Sequence, residues 1–93
     1  MLKRILDTSG IDMNDPEIKW ELETDLRRMN RLPHKNMPKN VDTYKVKVTP
    51  STQTYMPGLH RFIFEIRYGM IKKGKFQPKG KHVLYQSETL PMI

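Results

Sequence analysis

The sequence predicts a small α+β domain in which one amphipathic helix packs on a three-stranded antiparallel sheet. A helix-start signal near residue 15 precedes apolar residues at helical spacing. Alternating polar and apolar residues then mark three consecutive segments as strands. The chain of 93 residues is of a size for one hydrophobic core, so residues 1–93 are expected to form a single domain.

The predicted helix covers about residues 15–31. Asp15 suits the capping position and Pro16 the first helical position, where a missing N–H costs nothing. An apolar stripe follows at spacings of four, four and three residues, which places it on one helix face. The stripe consists of Ile18, Leu22, Leu26 and Met29. Acidic residues fill the first half and arginines the last turns, an order that complements the helix dipole.

The strands are predicted at about 43–49, 59–71 and 82–87, and their short connections favour an antiparallel meander. Period-two alternation assigns one face of this sheet to the core. The inward residues are Tyr44, Val46, Val48, Phe62, Phe64, Ile66, Tyr68, Met70, Val83 and Tyr85. Residues 1–14 are expected to form an N-terminal arm, as one helical turn or a short strand, and residues 88–93 a trailing C-terminal tail.

Charge is distributed unevenly along the chain. Residues 1–25 carry seven acidic and three basic side chains, a net of −4, and residues 26–93 carry fourteen basic and three acidic ones, a net of +11. There is no cysteine, which excludes disulfides and thiolate metal sites. No apolar stretch suits a signal peptide or a membrane span, so a cytoplasmic protein without membrane contact is expected.

The segment from residue 72 to residue 81 is the most distinctive part of the sequence and is predicted to be a flexible loop. It contains no acidic residue. Its five lysines are Lys72, Lys73, Lys75, Lys79 and Lys81. Such a loop favours contact with phosphate or with an acidic protein surface. Phe76 lies among these lysines and could stack on an unpaired base.

A basic face is predicted on the outer side of the sheet, opposite the core. The same alternation that turns the apolar residues inward turns Lys45, Lys47, Arg61 and Arg67 outward, and the lysine loop would extend this face. The sequence therefore predicts a non-catalytic protein that binds DNA, RNA or a nucleoprotein. The alternative interpretation is that these lysines are simply solvated and discourage edge-to-edge aggregation.

Three apolar residues are candidates for a protein interface. Trp20 lies off the apolar stripe of the helix, while Ile63 and Leu84 fall on the outward sheet face. They could contact a partner chain or a second copy, giving a homodimer. Alternatively, the N-terminal arm covers Trp20, and the third strand has a different register. A second functional hypothesis follows, in which a phage or mobile-element accessory protein binds and inhibits a host macromolecule.

Catalytic signals are sparse, and enzymatic activity stays open with a non-catalytic role favoured. The three histidines lack metal-site spacing, and neither a cofactor nor a metal is expected. One set of residues on adjacent predicted strands could act on a phosphodiester. That set is His60, Arg61, Arg67, His82 and Tyr85.

In size, charge and three consecutive strands, the chain is similar to small ribosome-dependent mRNA-cleaving toxins. It differs from them in having one predicted helix before the sheet instead of two. The resemblance implies activation of a ribose 2′-hydroxyl by a tyrosine or histidine and stabilisation of the phosphorane charge by basic residues. RNA cleavage is the third functional hypothesis.

Overall fold

The computed structural model describes residues 2–32, 34, 37–51 and 61–90. Its elements are β1 (Lys3–Asp7), α1 (Pro16–Met29), β2 (Thr43–Pro50), β3 (Phe62–Lys72), β4 (Lys75–Gln86) and a 3-10 turn (Ser87–Thr89). The α+β class is confirmed. The described sheet has four strands in the order β1-β2-β3-β4 and is mixed, so the prediction of three antiparallel strands was incomplete.

The helix begins where the sequence indicates. The Asp15 carboxylate accepts hydrogen bonds from the backbone N–H of Glu17 at 3.0 Å and of Ile18 at 3.5 Å, and Pro16 is the first helical residue. These bonds satisfy N–H groups that have no partner inside the helix. The helix ends at Met29, two residues before the predicted end.

Part of the predicted N-terminal arm is the edge strand β1, which pairs in parallel with β2. The register runs from Lys3 opposite Thr43 to Asp7 opposite Lys47. The helix carries the chain back along the sheet between the two strands, and a crossover of this kind makes neighbouring strands parallel. With five residues, β1 carries too short an alternation to predict it alone.

The inner face of the sheet forms the core with the apolar stripe of the helix. Strands β2 and β3 are antiparallel as predicted, with Val46 opposite Ile66 and Val48 opposite Phe64. Phe64 and Leu22 are fully buried. The inward assignment of these residues is therefore confirmed. Val83 and Tyr85 of β4 pair with Ile66 and Phe64 on the same face and are half-buried, also as predicted.

The predicted lysine loop is mostly strand. Strand β4 begins at Lys75, far before the predicted start at residue 82, and only Lys73 and Gly74 separate it from β3. Both turn residues have positive φ, 52° and 75°, as a two-residue type I′ hairpin requires. The prediction was wrong because lysine, glycine and proline dominate this segment and are typical of loops, while Phe76 and Pro78 alone mark its alternation.

The backbone of β4 lies unusually close to that of its neighbour β3 at Gly69. A Cβ atom at this position would collide with the carbonyl oxygen of Gln77 and would lie 3.0 Å from Cε1 of Phe76. Glycine therefore lets the two backbones approach, with the Phe76 ring beside the vacant side-chain position. Farther along, the register shifts between Ile66 and Tyr68, where β4 contains extra residues.

The start of the predicted C-terminal tail is folded against the helix. Ser87 and Leu90 are buried. The Ser87 hydroxyl donates to the Asp25 carboxylate at 2.7 Å and accepts from the Phe62 backbone N–H at 2.8 Å. Arg28 donates to the Leu90 carbonyl oxygen at 2.6 Å and also pairs with Asp25. The tail prediction was wrong for residues 88–90, and residues 91–93 lie outside the described residues.

Candidate nucleic-acid interface

The most basic surface of the described chain is the end of the β3–β4 hairpin. We call residues 70–81 the lysine hairpin. Its five lysines are all exposed, and the segment contains no acidic residue. Within the described ranges, none of these lysines takes part in an ion pair. Their positive charge is therefore not neutralised by a neighbouring carboxylate.

Alternation distributes the lysines around the ribbon. Lys72, Lys75 and Lys79 occupy positions on the same face as Tyr68, because Lys72 pairs with Lys75 and Tyr68 with Lys79. Lys73 is at the tip of the turn. Lys81 lies in the register shift, and Phe76 is half-buried near Gly69 on the opposite face. Cations are therefore present on one face of the ribbon and at its tip.

The outer sheet face is less basic than the sequence suggests. Lys45, Lys47 and Arg67 share it as predicted and line a shallow groove of about 280 Å³ together with Glu65. Arg67 donates to the Glu65 carboxylate at 2.6 Å, and Lys45 lies 3.9 Å from the carboxylate of Asp7 on β1. The bond from Arg67 is the main cause of a lowered pKa of Glu65. Two of the three cations therefore already have anionic partners.

Arg61 does not join this face. It directly precedes β3 and lines a cleft of about 230 Å³ with Ile11, before the helix, and Ile18, on its first turn. Its Nε atom is buried and has no hydrogen-bond partner among the described residues. Arg61 was predicted to belong with Lys45 and Lys47, but strand alternation does not extend to a residue that lies before the strand.

The three predicted interface residues lie on two different sides of the molecule. Trp20 is on the helix and 65% exposed, so the expectation that the N-terminal arm covers it was wrong. The arm forms β1 on the sheet instead. Ile63 is half-buried and Leu84 is 55% exposed. Both lie on the outer face, because Leu84 pairs with Glu65. No single surface unites all three.

The residues proposed for RNA cleavage are not brought together either. On the outer face, Arg67 Nη2 lies 3.4 Å from His82 Nδ1. Tyr85 lies on the inner face, opposite Phe64. Arg61 lines the separate cleft described above, and His60 lies outside the described residues. The described members of this set thus occupy three different environments.

A small cavity with a mixed polar and apolar lining, which the sequence did not predict, lies between the end of the helix and the inner sheet face. It measures about 70 Å³, and its polar lining comes from Arg4, Asn30, His34, Tyr44, Tyr68 and Tyr85. Alternation had placed the three tyrosines on the inner face. The participation of Arg4 depends on the pairing of β1 with β2, for which the sequence has no clear signal.

Comparison of the chain with protein-family models, with curated proteins and with solved structures found no match. Among the residues that the structure describes, no group of three or more histidine, aspartate or glutamate side chains could hold a metal ion. None of the described helices is long and apolar enough to cross a membrane. The fold and the hairpin thus define a small α+β protein with a projecting basic β-ribbon.

Proposed function

We propose that this protein binds nucleic acid non-catalytically and that the lysine hairpin contacts the phosphate backbone. The observation that supports the proposal is a two-stranded ribbon with five exposed lysines, no acidic residue and no ion pair among the described residues. A cytoplasmic location, where nucleic acid is accessible, belongs to the same proposal.

The shape of the hairpin suits this role as well as its charge. A two-stranded β-ribbon is narrow enough to enter the major groove of a DNA duplex, and it can also lie along a single strand. Lysine ammonium groups act as mobile point charges, which favours affinity for phosphate over discrimination between bases. Lys45, Lys47 and Arg67 would contribute less, because Glu65 and Asp7 neutralise part of their charge.

The test is fluorescence anisotropy with labelled double-stranded DNA, single-stranded DNA and RNA over about 50–200 mM salt. If all five hairpin lysines contact phosphate, the slope of log K against log salt should be about −3.5 to −4.5. Replacing the five hairpin lysines by glutamine should abolish most of the binding. The comparison of the three nucleic acids shows which form is preferred.

A matched control removes the same charge from other sites. In this control, glutamine replaces five basic residues that are neither in the hairpin nor among the cations predicted for the outer sheet face: Lys3, Lys19, Arg27, Lys35 and Lys39. Both variants have a formal net charge of +2, because each loses five positive charges from +7. The proposal requires much weaker binding in the hairpin variant than in the control. Equal loss in both variants would show that net charge alone attracts the nucleic acid.

A second candidate function is supported by Trp20. A tryptophan that is 65% exposed on a helix with arginines in its later turns is typical of the residues that dominate protein interfaces. This supports the hypothesis of an accessory protein that binds and inhibits a host macromolecule. Under that hypothesis Trp20→Ala removes the interaction, whereas the five-lysine change in the hairpin has a smaller effect.

A further inference from the structure

A row of four residues crosses the whole described sheet beside the small cavity. Arg4 pairs with Tyr44, Tyr44 with Tyr68, and Tyr68 with Lys79. Paired residues point to the same side of a sheet, so one face presents two tyrosines between two cations. Neighbouring strands are separated by about 4.8 Å, so the backbone positions of Arg4 and Lys79 are about 14 Å apart. Long side chains can reach inward over that distance.

Several polar groups around the cavity have no partner among the residues that the structure describes. Arg4 makes no ion pair among the described residues, and the hydroxyls of Tyr44 and Tyr85 make no hydrogen bond there. Tyr68 is an exception, since its hydroxyl lies 2.9 Å from His34 Nδ1. None of the described residues that line the cavity carries a carboxylate. The site thus combines a guanidinium with hydroxyl donors and lacks an anion of its own.

Three of the aromatic rings that line the cavity contact one another. His34 meets Tyr44 edge-to-face at 5.0 Å and Tyr68 at 5.6 Å, and the two tyrosine rings are 6.3 Å apart. This leaves hydroxyl groups, more than ring faces, to contact a ligand. A cavity of about 70 Å³ has room for only a few water molecules, each of which needs at least about 10–15 Å³ of such space. Both facts favour a compact polar ligand over a nucleobase.

The state of Tyr68 agrees with a donor role. Burial, together with the nearby Tyr85 and Tyr44, raises the pKa of the Tyr68 hydroxyl above its ordinary value. Tyr68 therefore stays protonated at neutral pH. It can hold His34 in place or donate a hydrogen bond to a ligand, and it is a poor candidate for a general base.

We infer that this pocket binds a phosphate monoester, with Arg4 pairing with its charge and the hydroxyls of Tyr44 and Tyr85 donating hydrogen bonds to its oxygens. A guanidinium fork matches the geometry of two phosphate oxygens. Lys79, opposite Tyr68, connects the pocket to the lysine hairpin. The inference that the pocket binds phosphate is independent of the proposed function. Only the source of the phosphate rests on that function: if the protein binds nucleic acid, the ligand is the terminal phosphate of a bound strand.

Binding to the pocket is tested by titrating the protein with inorganic phosphate up to about 10 mM and following amide and side-chain NMR signals. Signals of Tyr44, Tyr68 and Tyr85 should shift in a saturable way. Arg4→Gln should weaken binding about tenfold, as expected for loss of a charge-assisted hydrogen bond. Tyr44→Phe, which keeps the ring, should weaken it by a smaller factor.

The matched control is Lys3→Gln. Lys3 precedes Arg4 on the same strand, and alternation turns it to the opposite sheet face, so the same charge is lost without touching the pocket. The affinity of the Lys3→Gln variant for phosphate should stay within about twofold of that of the parent protein. Absence of any saturable shift in the pocket would overturn the inference, as would equal weakening by Arg4→Gln and Lys3→Gln.

The source of the phosphate is distinguished by comparing an RNA oligonucleotide with a 5′-phosphate and the same RNA with a 5′-hydroxyl. Tighter binding of the phosphorylated strand, lost in Arg4→Gln, assigns the pocket to a strand end. Equal binding of both strands, with inorganic phosphate still bound, assigns it to a free phosphate compound. If the protein binds inorganic phosphate but none of the nucleic acids, the proposed function is refuted, whereas the inference that the pocket binds phosphate stands.

Discussion

Asp25 is a carboxylate held in the core by two described side chains, Ser87 and Arg28. It is 6% exposed, accepts a hydrogen bond from Ser87 and pairs with Arg28 at 3.0 Å. Burial raises its pKa above the ordinary value of 3.8, although the bonds from Ser87 and Arg28 oppose that shift. The contacts of the ionised form thus offset only part of the cost of removing the charge from water.

The raised pKa determines the sign of a pH effect. A carboxyl with a higher pKa in the folded state stabilises the fold fully below its unfolded pKa, and this contribution is lost as the pH rises through the folded pKa. NMR titration of the side-chain carboxyl carbons should give Asp25 a midpoint above that of Asp7. The pKa of Asp7 is lowered, chiefly by a hydrogen bond from the Ser9 backbone.

Ser87→Ala is the companion variant for this titration. It removes a hydrogen bond that lowers the pKa of Asp25, so the midpoint should rise further. It also leaves the Phe62 N–H without its acceptor, at a cost of about 1–3 kcal/mol in the free energy of unfolding. An Asp25 midpoint below that of Asp7 would contradict this assignment of the buried carboxyl.

Phe64 is the side chain on which the core prediction is tested most directly. It is fully buried in the centre of β3, so Phe64→Ala should lower the free energy of unfolding by about 3–5 kcal/mol. Urea denaturation followed by circular dichroism measures the change. Leu84→Ala, at a position 55% exposed, is the control and should stay within about 1 kcal/mol of the parent. A loss below about 1 kcal/mol for Phe64→Ala would refute its burial.

At the level of elements, the turn of the lysine hairpin depends on Gly74. Its φ of 75° lies in the left-handed region, and the space around a Cβ there is open. Gly74→Ala should therefore cost about 1 kcal/mol from backbone conformation alone. Urea denaturation measures the loss. Gly10→Ala, where a Cβ meets only Val48 O at 3.6 Å, should be neutral or slightly stabilising. Equal stability of both variants would contradict the type I′ turn.

Elements with a strong apolar pattern were predictable from the sequence, and elements formed by pairing alone were not. The helix start and the inward residues of β2 and β3 follow from capping chemistry and alternation. Strand β1 exists because it pairs with β2, and the first half of β4 exists because a two-residue turn places it beside β3. Neither segment carries enough apolar residues to reveal its period.

The candidate site follows the same division. The five hairpin lysines were predicted as a group, since charge is visible in the sequence. Their relation to Lys45, Lys47 and Arg67 was not predictable, because the hairpin alternation places Lys72, Lys75 and Lys79 on the face of Tyr68. The pocket around Tyr68 was not predictable for a similar reason. Its lining residues come from all four described strands, so predicting it would require the register of every strand pair.

For the whole molecule, the positions of Trp20 and the lysine hairpin separate the two functional hypotheses. Ile18 of α1 lies near Pro50 and Phe62, whereas Met29 lies near Tyr44 and Tyr68, beyond which the hairpin extends. Trp20 is therefore on the first turns of the helix, at the end away from the hairpin. The described protein is elongated, with extents of 43 × 25 × 21 Å.

Trp20 is the sole tryptophan in the chain, so its fluorescence reports on that end alone. Acrylamide should quench it readily in the free protein, because the side chain is 65% exposed. Binding of a short oligonucleotide at the hairpin should leave the quenching constant nearly unchanged. Strong protection of Trp20 in the complex would place the nucleic acid on the helix and contradict the proposed interface.

The separation of acidic and basic residues also affects how the protein meets a partner in solution. The acids of the helix and of the loop before it lie near one end of the long axis, and the hairpin lysines lie at the other. This arrangement separates negative from positive charge and so gives the molecule a dipole moment. In the field of a polyanion it experiences a torque that turns the hairpin forward before contact, which raises the fraction of productive collisions. Added salt screens that torque. As the salt concentration is raised, the association rate constant should therefore fall at concentrations that leave the dissociation rate constant unchanged.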